Sequence, residues 1–131
     1  MDRLTLLIAF LVAASPGTAS SAESFSFEEL ASCDETHDPY GQDRLTVERA
    51  DARLLVSGLV GLSCGERVTR PQLLPDWGSL TLAIDTDSGG EPVAACRCSA
   101  KIRFTLNQEV PSGRIIYLVK NGKGAAHAVA P

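Results

Sequence analysis

Four cysteines are the residues of this chain whose type and spacing carry most chemical information. Cys33 and Cys64 are isolated in the sequence, whereas Cys96 and Cys98 stand two residues apart. In an extended strand, residues two apart have near-parallel Cβ vectors separated by about 6.6 Å, and a disulfide needs Cβ atoms about 3.8 Å apart. Cys96 and Cys98 are therefore predicted to bond different partners, and two connectivities with Cys33 and Cys64 stay open.

Two sharper interpretations compete with a pair of structural disulfides. Arg97, between the last two cysteines, would favour thiolate and so a redox role for the Cys96-x-Cys98 pair. Four thiolates, with His37 or His127 as a substitute ligand, could instead bind zinc or copper. The first two cysteines lack the close spacing usual in zinc sites, and an oxidising compartment favours disulfides. Two disulfides, each stabilising by about 3–4 kcal/mol, are the favoured prediction.

The first 22 residues have the pattern of a secretory signal peptide. Arg3 gives a positive start, an apolar run covers residues 4–14, and Ser20 and Ala22 suit a cleavage before Glu23. The apolar run is shorter than the roughly 20 residues that a membrane span needs. We therefore expect residues 23–131 to form a single disulfide-stabilised domain in a secreted or periplasmic location, with no membrane span after cleavage.

Composition excludes some classes of function. The formal net charge is −4, whereas nucleic-acid binding usually depends on a basic surface. Four Phe, two Tyr and one Trp are too few to line a sugar groove or a base-stacking platform. The sequence predicts neither a nucleic-acid partner nor a cofactor.

Alternation of apolar and polar residues predicts strands over most of the remaining chain. The predicted segments are residues 45–48, 53–62, 79–85, 93–106, 114–120 and 125–129. The pair Asn121-Gly122 is a strong hairpin signal. Residues 26–32 are predicted to form a short helical turn, because Ser26 and Glu29 have capping-box spacing. The expected fold is all-β: a small antiparallel β-sandwich or barrel of about six to seven strands, stapled by two disulfides.

The end of the chain also carries a resemblance. A Pro111-x-Gly113 turn leads into an Ile115-x-Tyr117-x-Val119 strand. This resembles the last hairpin of many immunoglobulin-like secreted domains and covers about a fifth of the chain. The resemblance implies an immunoglobulin-like sandwich.

Polar clusters give no site of comparable specificity. Residues 34–38 combine three carboxylates with His37 and could hold a divalent cation, but a solvated loop is the favoured interpretation. Residues 85–90 open like a calcium loop, yet the fifth position is Gly89 and the twelfth is Cys96. No nucleophile elbow is present, so no catalytic residue and no metal ligand are predicted.

Two surfaces remain as candidate interaction sites. Arg97, Lys101 and Arg103 share the odd positions of the strand predicted over residues 93–106, where they would form a basic stripe for an anionic partner. Trp77, in a loop predicted over residues 73–77, could anchor an interface. The sequence thus favours an exported binding or protein-interaction module without catalytic activity, whose partner is an unknown protein or anionic surface. The alternative is a thiol redox or metal-binding protein.

Overall fold

The computed structural model describes residues 25–32, 42–76, 79–90 and 96–131. These residues form strands and connecting turns, and none of them is helical. The strands are β1 (Phe25–Ala31), β2 (Arg44–Ala50), β3 (Arg53–Ser63), β4 (Arg67–Asp76), β5 (Ser79–Asp87), β6 (Arg97–Leu106), β7 (Ile115–Lys120) and β8 (Lys123–Val129). The all-β prediction is therefore confirmed, with more strands than expected.

The strands form two four-stranded sheets packed as a sandwich. Sheet A has the order β1-β6-β3-β2, and sheet B has the order β4-β5-β7-β8. All neighbours are antiparallel except β5 and β7, which run parallel. In an immunoglobulin sandwich, by contrast, the first, second, fifth and fourth strands share one sheet.

The core follows from the alternation that predicted the strands. Even-numbered residues of β3, β5 and β6 point between the sheets, and all of them except Thr86 are buried. Phe104 on β6 lies at the centre, with its ring centroid 5.8 Å from that of Phe25 and 5.1 Å from that of Phe27. Full burial of such a side chain stabilises a fold by about 1.5–3 kcal/mol.

The helical turn predicted for residues 26–32 is wrong. Phe25–Ala31 is instead the edge strand β1, paired with β6. Phe25 and Phe27 stand on the same side of this strand and pack against the core. In a strand, alternate residues share a face, so Phe25 and Phe27 can both pack against the core. This packing and the pairing with β6 outweigh the local helix-capping signal of Ser26 and Glu29.

Strand β4 was not predicted, and the loop expected over residues 73–77 is largely part of it. Leu73 and Leu74 belong to β4, where Leu73 is buried and Leu74 is exposed. Pro71 and Pro75 concealed the strand, because proline cannot donate to a central ladder. Since β4 is an edge of sheet B, its prolines are tolerated there.

The hairpin signal at Asn121-Gly122 is confirmed. These residues join β7 to β8 with φ values of 53° and 78°. Positive φ at both central positions is the signature of a type I′ turn, which matches the twist of the flanking strands. The Asn121 side chain also accepts a hydrogen bond from the backbone N–H of Thr86 at 2.8 Å, and so ties the turn to β5.

Candidate functional site

The outer face of sheet A carries an open groove of about 290 Å³. Its floor is the backbone around Gly58 and Ile102, at the centre of the sheet. The side chains around the floor comprise three cations, two aliphatic groups and two hydroxyls: Arg44, Lys101, Arg103, Leu30, Leu59, Thr46 and Ser57. We call this feature the basic groove. Its volume is at the lower end of small-ligand sites, which usually span about 300–1,000 Å³.

Strand register explains why the three cations meet. Leu59 of β3 is paired with Lys101 of β6 on one side and with Arg44 of β2 on the other. Neighbouring strands lie about 4.8 Å apart, so the Cα atoms of Arg44 and Lys101 are separated by roughly 10 Å. Arg103 follows two residues after Lys101 on the same face. Arg44 and Lys101 therefore lie on opposite sides of Leu59, and Arg103 lies beside Ser57.

Arg103 is only loosely engaged within the protein. Its Nη1 lies 3.8 Å from Oε1 of Glu28, and the side chains are 34% and 60% exposed. Its Nε donates to the Ser57 hydroxyl at 3.5 Å, the long limit of a hydrogen bond. Contacts this long leave the planar guanidinium able to bind a second carboxylate in the stronger, bidentate geometry.

The sequence placed Lys101 and Arg103 together, and the structure brings them into one groove. Arg97 shares their face of β6 but does not line the groove. Ser99 separates it from Lys101 and is fully buried, so the expected stripe is interrupted. Trp77 lies outside the described residues.

Sequence reasoning missed Arg44, Leu30 and Leu59. Arg44 belongs to β2 and reaches the basic groove only because β3 pairs with both β2 and β6. Leu30 stands at a bulge in β1 and is 42% exposed. The sequence around Leu30 gives no signal for this role, because Leu30 follows Glu28 and Glu29 and comes near Lys101 and Arg103 only through the pairing of β1 with β6.

The cysteines give one defined crosslink. Cys64 and Cys96 form a disulfide with a Cα–Cα distance of 5.4 Å, close to the spacing of opposed residues in an antiparallel ladder. The backbone N–H of Cys64 donates to the carbonyl of Cys96 at 3.0 Å, which extends the β3–β6 pairing by one residue. The prediction that Cys96 does not bond Cys98 is therefore confirmed.

The sequence predicts Cys96 in a core-facing position of a strand. In the structure β6 begins at Arg97, and Cys96 precedes it and is exposed, so the expected core position is wrong, whereas its disulfide partner Cys64 packs partly against the core. Cys98 is buried in the core as predicted. No free cysteine occurs among the described residues. Cys33 lies outside them, so a second disulfide stays a prediction.

Titratable groups elsewhere in the described part of the chain do not assemble into a second site. Among the described residues, no group of three or more His, Cys, Asp or Glu side chains is arranged to hold a metal. The residues resembling a calcium loop form the end of β5 and a turn, where the Asp87 carboxylate accepts from the N–H of Gly89 at 2.8 Å. The acidic cluster around His37 lies outside the described residues.

The surroundings of Glu66 lower the pKa of its carboxyl. Partial burial acts to raise the pKa of this carboxyl, but hydrogen bonds from Ser63 and Thr86, together with the Lys120 charge, outweigh burial and lower it. The backbone N–H of Ser63 and the hydroxyl of Thr86 each donate to Glu66 at 2.8 Å. Since Ser63 and Thr86 belong to different sheets, Glu66 has a structural role in joining them.

The described residues include no helix long and apolar enough to cross a membrane. No protein-family model matches the chain, and neither curated proteins nor solved structures give a match. Functional inference therefore depends on the geometry of the sandwich and of the basic groove.

Proposed function

We propose that this protein is an exported β-sandwich binding module that holds an anionic partner in the basic groove. The convergence of Arg44, Lys101 and Arg103 from two strands is the observation that carries the proposal. The chain as a whole has a net charge of −4, so a cluster of three cations is a local reversal of its surface charge. Complementary charge steers encounter and selects partners.

Export is supported by two independent features. The first 22 residues have signal-peptide composition, and the Cys64–Cys96 disulfide is compatible with an oxidising compartment. We place the mature domain, from about residue 23 onwards, in the periplasm or outside the cell. The alternative role in thiol redox or metal chemistry loses support, because Cys96 is crosslinked to Cys64 rather than presented as a Cys96-x-Cys98 dithiol.

The proposal includes a second disulfide, between Cys33 and Cys98. With Cys64 and Cys96 joined to each other, these are the two remaining cysteines of the sequence. The immunoglobulin-like assignment is not included, since the observed strand order differs from that arrangement. Intact mass before and after reduction tests the crosslinks: two disulfides make the oxidised protein about four hydrogens lighter than the reduced protein.

Amide chemical-shift mapping tests the binding function. The isotope-labelled mature protein is titrated with three anionic probes: a glutamate-rich peptide, a heparin oligosaccharide and phosphatidylglycerol vesicles. We expect at least one probe to shift the amides of Ser57, Gly58 and Lys101, with an effect that weakens as salt is raised.

Charge reversal provides the matched comparison. The double variant Lys101→Glu/Arg103→Glu should lose the shifts, whereas Arg67→Glu/Lys123→Glu, at exposed positions of sheet B, should retain them. Equal responses in the two variants, or shifts confined to surfaces away from the basic groove, would overturn the proposal.

A further inference from the structure

We infer that the preferred ligand of the basic groove is an extended acidic peptide whose carboxylates occupy alternate residues. The inference rests on the proposed function and names the ligand class of the same site. It follows from the spacing of the cations, from the aliphatic groups beside them and from the charge of the rest of the molecule.

The cations repeat at the spacing of an extended chain. Lys101 and Arg103 are two residues apart on β6 and point to the same face, so their Cα atoms are about 6.6 Å apart. An extended peptide presents its own alternate side chains at the same interval. A peptide that lies along β6 can therefore place one carboxylate opposite Lys101 and the next opposite Arg103. Adjacent carboxylates cannot do so, because they point to opposite sides of the peptide.

The remaining groups of the groove suit the same ligand. Leu30 and Leu59 line the groove from β1 and β3, the strands on either side of β6. Glutamate reaches a cation through two methylene groups, and aliphatic walls can pack against that stem. The Glu28 carboxylate, 3.8 Å from Arg103, makes a weak ion pair of the kind that a ligand carboxylate would make. An incoming carboxylate would replace it in a closer, bidentate contact.

Other anions fit less well. Among the described residues, no aromatic side chain lines the groove, and none of them offers a platform there for stacking a nucleobase or a sugar ring. A long polyanion would meet the net negative charge of the remaining surface. A short peptide senses mainly the local cations, because at physiological ionic strength charges farther than about 8 Å are largely screened.

Two blocked peptides of identical composition test the inference. In one, single Glu and Thr residues alternate; in the other, adjacent pairs of Glu alternate with adjacent pairs of Thr, so that no two Glu residues stand two apart and share a side at the spacing of Lys101 and Arg103. Titration into the mature protein, followed by calorimetry and by the amide shifts of Ser57 and Lys101, should give several-fold tighter binding for the alternating peptide. Lys101→Ala and Arg103→Ala should each weaken it by about tenfold, since each removes a charge-assisted hydrogen bond.

The possible outcomes distinguish a failure of the peptide inference from a failure of the proposed anion-binding function. Equal affinity for the two peptides would overturn the periodic inference and leave an anion-binding groove. Groove shifts with heparin oligosaccharide or with phosphatidylglycerol vesicles, but with neither peptide, would replace the peptide by that ligand class. No groove shift with any probe would remove both the inference and the proposed function. Amide spectra of the alanine variants must match the parent spectrum away from the groove, which verifies folding.

Discussion

The Nζ atom of Lys120 lies 3.0 Å from Oδ1 of Asp43, and this ion pair joins the two sheets of the sandwich. Lys120 ends β7 in sheet B, whereas Asp43 precedes β2 in sheet A. Gly61 of β3 completes the network: its N–H donates to the Asp43 carboxylate at 2.8 Å, and its carbonyl accepts from Lys120 at 2.9 Å. Each of the two side chains is only 20% exposed, so each charge depends on the other to offset the cost of its removal from water.

Replacing Asp43 by alanine should therefore destabilise the domain by about 2–3 kcal/mol, because the largely buried ammonium of Lys120 and the backbone N–H of Gly61 lose their partner. Urea unfolding at neutral pH measures the change. Glu48→Ala, at an exposed position of β2, is the control and should shift stability by less than about 0.5 kcal/mol. The double variant Asp43→Ala/Lys120→Met should be more stable than Asp43→Ala alone. If it is not, the ion pair does not couple the sheets.

Glu66 should make the free energy of unfolding depend on pH in the acidic range. Its pKa is lowered in the folded protein by hydrogen bonds from Ser63 and Thr86 and by the Lys120 charge, against the opposing effect of burial. Its contribution is therefore complete above the ordinary glutamate pKa of about 4.3 and disappears as pH falls through the lower folded-state value. Glu66→Gln should be less stable than the parent at pH 7, and the gap should narrow below about pH 4. Unfolding free energies across pH would contradict this if the gap were constant.

Removal of the Cys64–Cys96 disulfide should lower stability by about 3–4 kcal/mol on the chain-entropy model. The crosslink closes a segment of sequence separation 32 that contains β4 and β5. The measurement compares urea unfolding of the parent with Cys64→Ala/Cys96→Ala. Peptide mapping of the parent should recover Cys64 with Cys96 and Cys33 with Cys98. Recovery of Cys33 with Cys64 would contradict the connectivity.

Two glycines of the last hairpin provide a matched pair. Gly122 has a φ of 78°, where an L-residue is strained, whereas Gly124 does not require positive φ. A Cβ at either position meets no atom within 4 Å, so crowding does not distinguish them. Gly122→Ala should cost about 1 kcal/mol, and Gly124→Ala should be neutral or slightly stabilising. Similar thermal shifts for the two variants would show that the turn tolerates a change of conformation.

Sequence reasoning succeeded where a strand carries its own signal. The alternation in β3, β5 and β6 predicted their buried face and, to within two residues, the ends of β3 and β5. Residues 93–95 of the strand predicted to precede Arg97 lie outside the described residues. Sequence reasoning failed at β1 and β4, whose identity depends on pairing with β6 and β5. The same limit applies to the basic groove: Lys101 and Arg103 share a strand and could be associated from the sequence. Arg44 could not, because its approach depends on the register of β2 against β3.

The parallel pairing of β5 with β7 has a consequence for how the chain folds. Between these strands the chain leaves sheet B, becomes the interior strand β6 of sheet A, and returns. The two sheets are therefore interleaved along the sequence, and neither can be completed by an uninterrupted segment. Pairing β1 with β6 brings together residues as distant as Phe25 and Leu106. Such high contact order is characteristic of domains that fold in milliseconds to seconds rather than microseconds.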